Sequence, residues 1–149
     1  MVQKEELKEK CLAALSQKIA ETHAAMQSAQ DSANSEEKSS MGDKYETGRA
    51  MSQLERDRIA AQLAVLQQEF QKLQMVDPNI PHPNVQVGAL VQTETQWYWI
   101  AVSLGQVQVQ ENKIMVVSPV SPIAKALIGL KKGNVFTFNG KSQKVMHVS

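Results

Sequence analysis

The sequence contains a single cysteine, Cys11, among 149 residues. This composition excludes an internal disulfide and a cysteine-based metal site, and it is typical of a reducing compartment. No apolar run approaches the roughly 20 residues needed to span a bilayer. The first ten residues, MVQKEELKEK, also lack the apolar core of a signal peptide. We therefore expect a cytoplasmic protein that makes no membrane contact.

Proline and aromatic residues are nearly absent from the first half of the chain. All five prolines lie between positions 78 and 122, and all seven aromatic residues except Tyr45 and Phe70 lie after position 90. The chain thus changes character near residue 76, which predicts two unequal parts. The predicted domains are a helical hairpin over residues 1–75, a stiff proline-rich linker over residues 76–85 and a second domain over residues 86–149.

Positive charge is not concentrated in either part. Lys and Arg number 10 against 12 Asp and Glu up to residue 75, and 6 against 3 after it. A protein that grips nucleic acid by itself normally carries a concentrated basic face. We therefore expect a protein partner and little direct DNA binding.

Residues 4–33 contain neither proline nor glycine and carry a narrow apolar seam. Steps of three and four residues separate its members, as in a coiled coil. These members are Leu12, Leu15, Ile19, Thr22, Met26, Ala29 and Ala33. The second seam consists of Ile59, Leu63, Leu66, Phe70 and Leu73, with Met51 and Leu54 leading into it.

The segment between the seams lacks large aliphatic residues and holds Gly42 and Gly48, the only glycines before residue 88. The chain should therefore turn there and fold back as an antiparallel hairpin, in which Leu15 and Leu66 are buried. An oligomeric coiled coil, whose seam faces a second chain, is the alternative.

The predicted turn is acidic: residues 31–46 hold five acidic and two basic side chains. Asp43 and Glu46 are three residues apart, so both carboxylates can point out of the same helix end. Two such oxygen donors can share a Mg²⁺ ion. The same spacing at a helix start is also that of a capping box, in which both side chains accept hydrogen bonds from backbone N–H groups. Spacing alone does not decide between the two.

Two motifs resemble the Gre family of bacterial transcript-cleavage factors. Residues 42–46, Gly-Asp-Lys-Tyr-Glu, are similar to the family's tip motif of Gly-Asp, two variable positions and Glu at the end of a coiled-coil hairpin. Residues 121–129, SPIAKALIG, are similar to the Ser-Pro-Ile-Ala-Arg-Ala-Leu-Ile-Gly stretch of the family's C-terminal domain, with one Arg/Lys exchange. The resemblance covers most of the chain in the family's order of hairpin, tip, linker and C-terminal domain.

The resemblance implies a transcription elongation factor that binds bacterial RNA polymerase at the rim of its secondary channel. It would stimulate the polymerase's own cleavage of backtracked RNA and reach the 3′ end of the nascent RNA only indirectly. Asp43 and Glu46 would be the catalytic residues, holding a Mg²⁺ ion jointly with the polymerase, and the isolated protein would have no cofactor. The residues implied to bind the polymerase are Ser121, Pro122, Ile123 and Lys125.

The chain departs from the family pattern directly after the tip acids. Gre factors usually continue Asn-Ala-Glu-Tyr, whereas residues 47–50 are Thr-Gly-Arg-Ala, which removes one acid and one aromatic and adds a glycine. This departure favours the alternative function, a regulator that occupies the polymerase channel without stimulating cleavage. A third hypothesis is a coiled-coil assembly protein with an accessory β domain.

The sequence of the second domain predicts a small antiparallel sheet with one helix. Six short runs rich in β-branched and aromatic residues follow residue 86 and predict strands. Ser121, Pro122 and Gly129 have the positions expected of the N-cap, the first residue and the C-terminal glycine of a short helix. The fold class is therefore α+β, and the Gre resemblance implies an FKBP-like arrangement. Within residues 97–99, Trp-Tyr-Trp, we expect core tryptophans and a tyrosine on the opposite face.

Overall fold

The computed structural model describes residues 2–37 and 42–149, without the side chains of residues 36–37 and 42–46. Two long helices come first, α1 (Lys4–Glu37) and α2 (Gly42–Gln74). Six strands and a short helix follow: β1 (Leu90–Thr93), β2 (Trp97–Ile100), β3 (Gly105–Val109), β4 (Asn112–Val117), α3 (Pro122–Leu127), β5 (Val135–Phe138) and β6 (Lys141–Val148). This order confirms the predicted α+β class, the six strands and the short helix.

The chain divides into two compact units. Unit 1 combines residues 1–14 with residues 69–149, and unit 2 consists of residues 15–68. The first turns of α1 and the last turns of α2 therefore belong to the unit that holds the sheet. The predicted domain boundaries at residues 75 and 85 stay predictions. No helix in the described ranges is both long enough and apolar enough to cross a membrane.

Unit 2 is a helical hairpin that buries its own seam. Leu15, Ala33, Ile59 and Leu63 are all less than 9% exposed. Leu66 is half-buried, so the predicted burial is complete at Leu15 and partial at Leu66. Because one chain covers these side chains, the seam does not need a second chain.

Met51 and Leu54 do not lead into the second seam as the sequence pattern predicted. They are 67% and 69% exposed. Counting back from Ile59 by three and then four residues leads to Arg56 and Ser52, which are both half-buried. The heptad register of α2 thus places polar side chains in this part of the seam and turns Met51 and Leu54 outward.

The sheet of unit 1 has the strand order β3-β4-β2-β1-β6-β5. Four neighbouring pairs are antiparallel, as predicted, whereas β2 and β4 are parallel. The exception arises because β3 and β4 form a hairpin that pairs with β2 through its second strand. The predicted antiparallel sheet is therefore wrong for this one pair.

The two faces of the sheet bury different side chains. On one face, α3 packs over a core that includes Val91, Ile100, Leu127, Phe136 and Val145. Tyr98 packs against this core and is half-buried. Trp99 points to the opposite face and is fully buried, while Trp97 is half-buried. The predicted alternation within residues 97–99 is therefore confirmed, with one tryptophan fully inside.

Lys4, the first residue of α1, is buried although it carries a charge, with 8% of its surface exposed. Its Nζ donates to the carbonyl oxygen of Ile80 at 2.8 Å and to that of Gly88 at 3.3 Å. Trp99 Nε1 donates to the same Gly88 carbonyl at 3.1 Å. Burial lowers the pKa of Lys4, and the negative charge of Asp77 acts in the opposite direction. Lys4 thus ties α1 to the linker and to the residues just before β1.

Replacing Lys4 by Met keeps the aliphatic chain but removes the donor to both carbonyl groups. We expect the free energy of unfolding to fall by about 1 kcal/mol, because the part-buried Ile80 carbonyl oxygen then loses its side-chain donor. The Gly88 carbonyl oxygen keeps Trp99 Nε1 as a donor. Lys18→Met, at an exposed position of α1, is the matched control and should change it by about 0.5 kcal/mol or less. Urea denaturation followed by tryptophan fluorescence measures both. Equal stability of the two variants would contradict the role of Lys4.

Candidate functional site

The two acids of the tip motif lie near the start of α2, which begins at Gly42. The side chains of Asp43 and Glu46 fall outside the described residues. Their backbone positions, three residues apart, lie on one side of the first two helical turns. This position at a helix start is compatible with a capping role as well as with a metal site.

The donor set of this helix start fits a shared Mg²⁺ ion. Carboxylate oxygens are the ligands that Mg²⁺ prefers, and the ion keeps several waters when a protein supplies only one or two of them. Within residues 2–37 and 42–149, as far as the side chains are described, no group of three or more His, Cys, Asp or Glu side chains could hold a metal ion. Two carboxylates alone leave coordination positions for a second protein.

Residues 47–50, which depart from the Gre pattern, continue α2 without a break. Thr47, Arg49 and Ala50 are exposed, and Gly48 is half-buried. A glycine inside a helix is less favourable than alanine by about 1 kcal/mol. The departure therefore weakens the helix directly after the two acids.

The residues implied to bind a partner form the start of α3. Ser121 Oγ donates to the Ser118 carbonyl oxygen at 2.7 Å and accepts from the Ala124 N–H at 3.3 Å, so it caps the helix. Ile123 is 8% exposed and belongs to the core. Pro122 and Lys125 are exposed. Ser121 and Ile123 therefore position α3, and Pro122 and Lys125 offer surface to a partner.

A groove of about 580 Å³ lies in unit 1. Residues 118–120, which immediately precede α3, form part of its wall. Four apolar side chains in its lining are about half or more exposed, namely Met75, Ile80, Val87 and Val120. Exposed apolar side chains gathered around one concavity are typical of a binding surface. Sequence patterns could not reveal the groove, because α2, the linker and three loops contribute to it from distant positions.

His82 lies in the wall of this groove. Burial lowers its pKa, and the positive charge of Lys4 lowers it further. Gly88 has a φ of +91°, and a Cβ there would lie 3.1 Å from His82 Nε2. Glycine at this position therefore leaves room for the imidazole. The neutral ring can donate or accept a hydrogen bond, although the sequence favoured an inert loop histidine.

The lowered pKa of His82 makes stability depend on pH. As the pH falls below the ordinary histidine value of 6.5, the unfolded chain takes up a proton that the folded chain still excludes. The contribution of neutral His82 to the free energy of unfolding is therefore complete above pH 6.5. It is lost as the pH falls through the lower pKa of folded His82. Urea denaturation at several pH values below 6.5 should show that the free energy of unfolding falls less in His82→Asn than in the unmodified protein. His23→Asn, at an exposed position of α1, should leave the loss unchanged, and the same result for His82→Asn would contradict this assignment.

Cys11 is fully buried, and burial raises the pKa of its thiol to about 12. Nucleophilic and metal-binding cysteines act as thiolates. Cys11 therefore has a packing role, as its position among apolar helical residues predicted.

No protein-family model matches the sequence, and a search of curated proteins finds no significant match. A similar solved structure is that of the transcription factor Gfh1. Its sequence is 19% identical, the match covers 93% of each chain, and the TM-score is 0.41. At this identity and TM-score we draw no functional conclusion from the likeness. The functional hypothesis rests on residues 42–46 and 121–129 of the chain itself.

Proposed function

We propose that this chain is a transcription elongation factor that binds RNA polymerase at its secondary channel and stimulates cleavage of backtracked RNA. The observation that carries the proposal is the joint occurrence of two Gre-like motifs in matching structural settings. Residues 42–46 begin the second helix of a helical hairpin, and residues 121–127 cap and form the short helix α3 on the sheet. A coincidence of both sequence and setting is improbable for an unrelated coiled-coil assembly protein.

The hairpin would supply the acids to an active site that belongs to the polymerase. With 34 residues, α1 is about 50 Å long, which gives it the reach to enter a channel. Asp43 and Glu46 would hold two ionised carboxylates at the start of α2, where the helix dipole stabilises their charge. Mg²⁺, when bound, supplies charge stabilisation at a phosphate and lowers the pKa of a bound water. No other acid or base of this chain needs a role in the reaction.

Docking would depend on α3 and its surroundings in unit 1. Pro122 and Lys125 are the exposed members of the motif. The groove that residues 118–120 help to line, with Val120 72% exposed, would add apolar surface that a protein partner can cover. This combination of an apolar patch and a charged rim is common in protein interfaces.

Residues 47–50 support a second candidate function, a regulator that occupies the channel without cleavage. Gly48 weakens the helix next to the acids, and the chain lacks the family's additional acid and aromatic at these positions. Both candidates predict that the purified chain retains RNA polymerase from a bacterial lysate. Only the first predicts that end-labelled RNA in a stalled, backtracked complex becomes shorter. Failure to bind purified polymerase would contradict both.

A further inference from the structure

The last 38 residues of the chain contain no acidic side chain. Residues 112–149 hold six lysines and neither Asp nor Glu, whereas residues 1–111 hold five more acidic than basic residues. Counting charge over the two predicted parts hides this contrast, because the three acids of the second part all precede residue 112. The positive segment forms β4, α3, β5 and β6.

Four of these lysines lie on the β5–β6 hairpin and the turn before it: Lys131, Lys132, Lys141 and Lys144. Lys144 pairs with Val135 and Lys141 with Phe138, at the two ends of the hairpin's ladder. The six-stranded sheet ends at β5. The four lysines therefore lie on or next to the strand pair at one edge of the sheet, with Lys141 and Lys144 on opposite faces of β6.

The turn before β5 is fixed by backbone hydrogen bonds. The Gly133 N–H donates to the Val145 carbonyl oxygen at 2.8 Å, and the Val145 N–H donates to the Asn134 carbonyl oxygen at 2.8 Å, which fixes this turn against β6. Asn134 Oδ1 accepts from the Lys131 N–H at 2.9 Å. The backbone of the turn that carries Lys131 and Lys132 is therefore held in place next to β6.

All four lysines are exposed. In the described part of the chain, none of them forms an ion pair, and none of their ammonium groups donates a hydrogen bond. Their charge is therefore not neutralised within the chain, and an external anion can reach it.

We propose that the β5–β6 hairpin and the turn before it bind the phosphate backbone of a nucleic acid, without sequence preference. Interfaces between proteins are depleted of lysine and enriched in arginine and aromatic side chains. The positive charge here comes from lysine alone, and polar residues such as Thr137, Asn139 and Ser142 lie between the lysines. Interfaces with nucleic acid are more polar and more positive. The composition of this edge therefore favours phosphate over an acidic protein surface.

The test uses the full-length chain and a short fluorescent duplex DNA, with binding followed by anisotropy between about 50 and 200 mM salt. For four phosphate contacts, log K should fall against log salt with a slope of about −3 to −4. Lys131→Gln with Lys132→Gln, and separately Lys141→Gln with Lys144→Gln, should each reduce the steepness of that slope by about two. The matched control, Lys18→Gln with Lys113→Gln, removes the same charge from α1 and β4 and should keep the slope.

Four results would overturn this inference. The unmodified chain could fail to bind the duplex, or the control pair could weaken binding as much as the hairpin pairs. Polyglutamate of equal charge could also displace the DNA as well as unlabelled DNA does, which would assign the edge to an acidic protein. Hairpin variants that aggregate while binding DNA normally would show that the lysines only protect the sheet edge. The inference does not rest on the proposed function, since the assay contains no polymerase.

Discussion

Replacing Asp43 by Asn, or Glu46 by Gln, should lower the rate of transcript cleavage by one or more orders of magnitude while polymerase binding stays nearly unchanged. Both substitutions keep the size of the side chain and remove its charge. Loss of a positioned electrostatic group in an active site commonly has an effect of this size. Raising the Mg²⁺ concentration should partly restore cleavage, because mass action offsets a weakened affinity. Cleavage time courses at several Mg²⁺ concentrations measure both effects.

Cleavage that stays nearly unchanged would indicate that the two acids act as helix caps. If the two acids only cap α2, each substitution should cost the hairpin about 1 kcal/mol or less and leave cleavage almost intact. Asp31→Asn is the matched control, because Asp31 is an exposed acid near the end of α1 and outside the motif. Cleavage at the unmodified rate by the double variant of Asp43 and Glu46 would remove these residues from the mechanism.

The second large effect is expected at α3. Lys125→Glu reverses the charge of an exposed side chain in the most specific of the two motifs, and Val120→Asp places a charge on the rim of the neighbouring groove. Either change should weaken polymerase binding by about tenfold or more, since a charge without a partner in an interface costs free energy. A titration of purified polymerase with labelled variants measures the affinity.

Lys113→Glu is the control for docking, because it makes the same charge change on β4, at an exposed site outside the motif. If Lys125→Glu and Val120→Asp bind polymerase as the unmodified chain does, α3 is not the docking site. We expect residues 76–149 alone to bind polymerase as well. The division into units makes full-length variants the sharper test, because that fragment lacks buried residues of unit 1 such as Leu7 and Leu73.

The sequence predicted most of the fold because its local signals agree with one another. The seam of α1 follows steps of three and four residues without interruption, and six short β-branched runs become six strands. Ser121 and Gly129 mark the limits of α3 through their own chemistry, since one side chain caps the helix and the other residue adopts a φ of +89°. Such features depend on neighbours within a few residues and can be read from a single chain.

The features that the sequence did not reveal depend on contacts between distant residues. The parallel pairing of β2 with β4 follows from how a hairpin docks, and no residue within either strand specifies it. Lys4 reads as a surface residue, yet two carbonyl groups more than 70 positions away accept its hydrogen bonds. Met51 and Leu54 look like seam residues, but the register of α2 turns them outward.

The candidate site also has features that the sequence predicted and features that only the structure shows. Two acids three residues apart can be a cap or a metal site, and only the resemblance of residues 42–46 to a tip motif favours the second. Residues 121–129 were predicted as a partner surface, and the structure distinguishes their exposed side chains from Ile123, which is buried in the core. The groove comes from helix, linker and loop residues that only the folded chain brings together.

Cleavage of end-labelled RNA in stalled, backtracked complexes tests the central claim most directly. The unmodified chain, added to purified polymerase halted on a template, should produce shortened labelled transcripts within a time in which polymerase alone leaves them at full length. The double variant of Asp43 and Glu46, bound to the same polymerase, should leave them at full length as well. Polymerase that is saturated with the unmodified chain and still retains full-length transcripts would contradict the claim of stimulated cleavage.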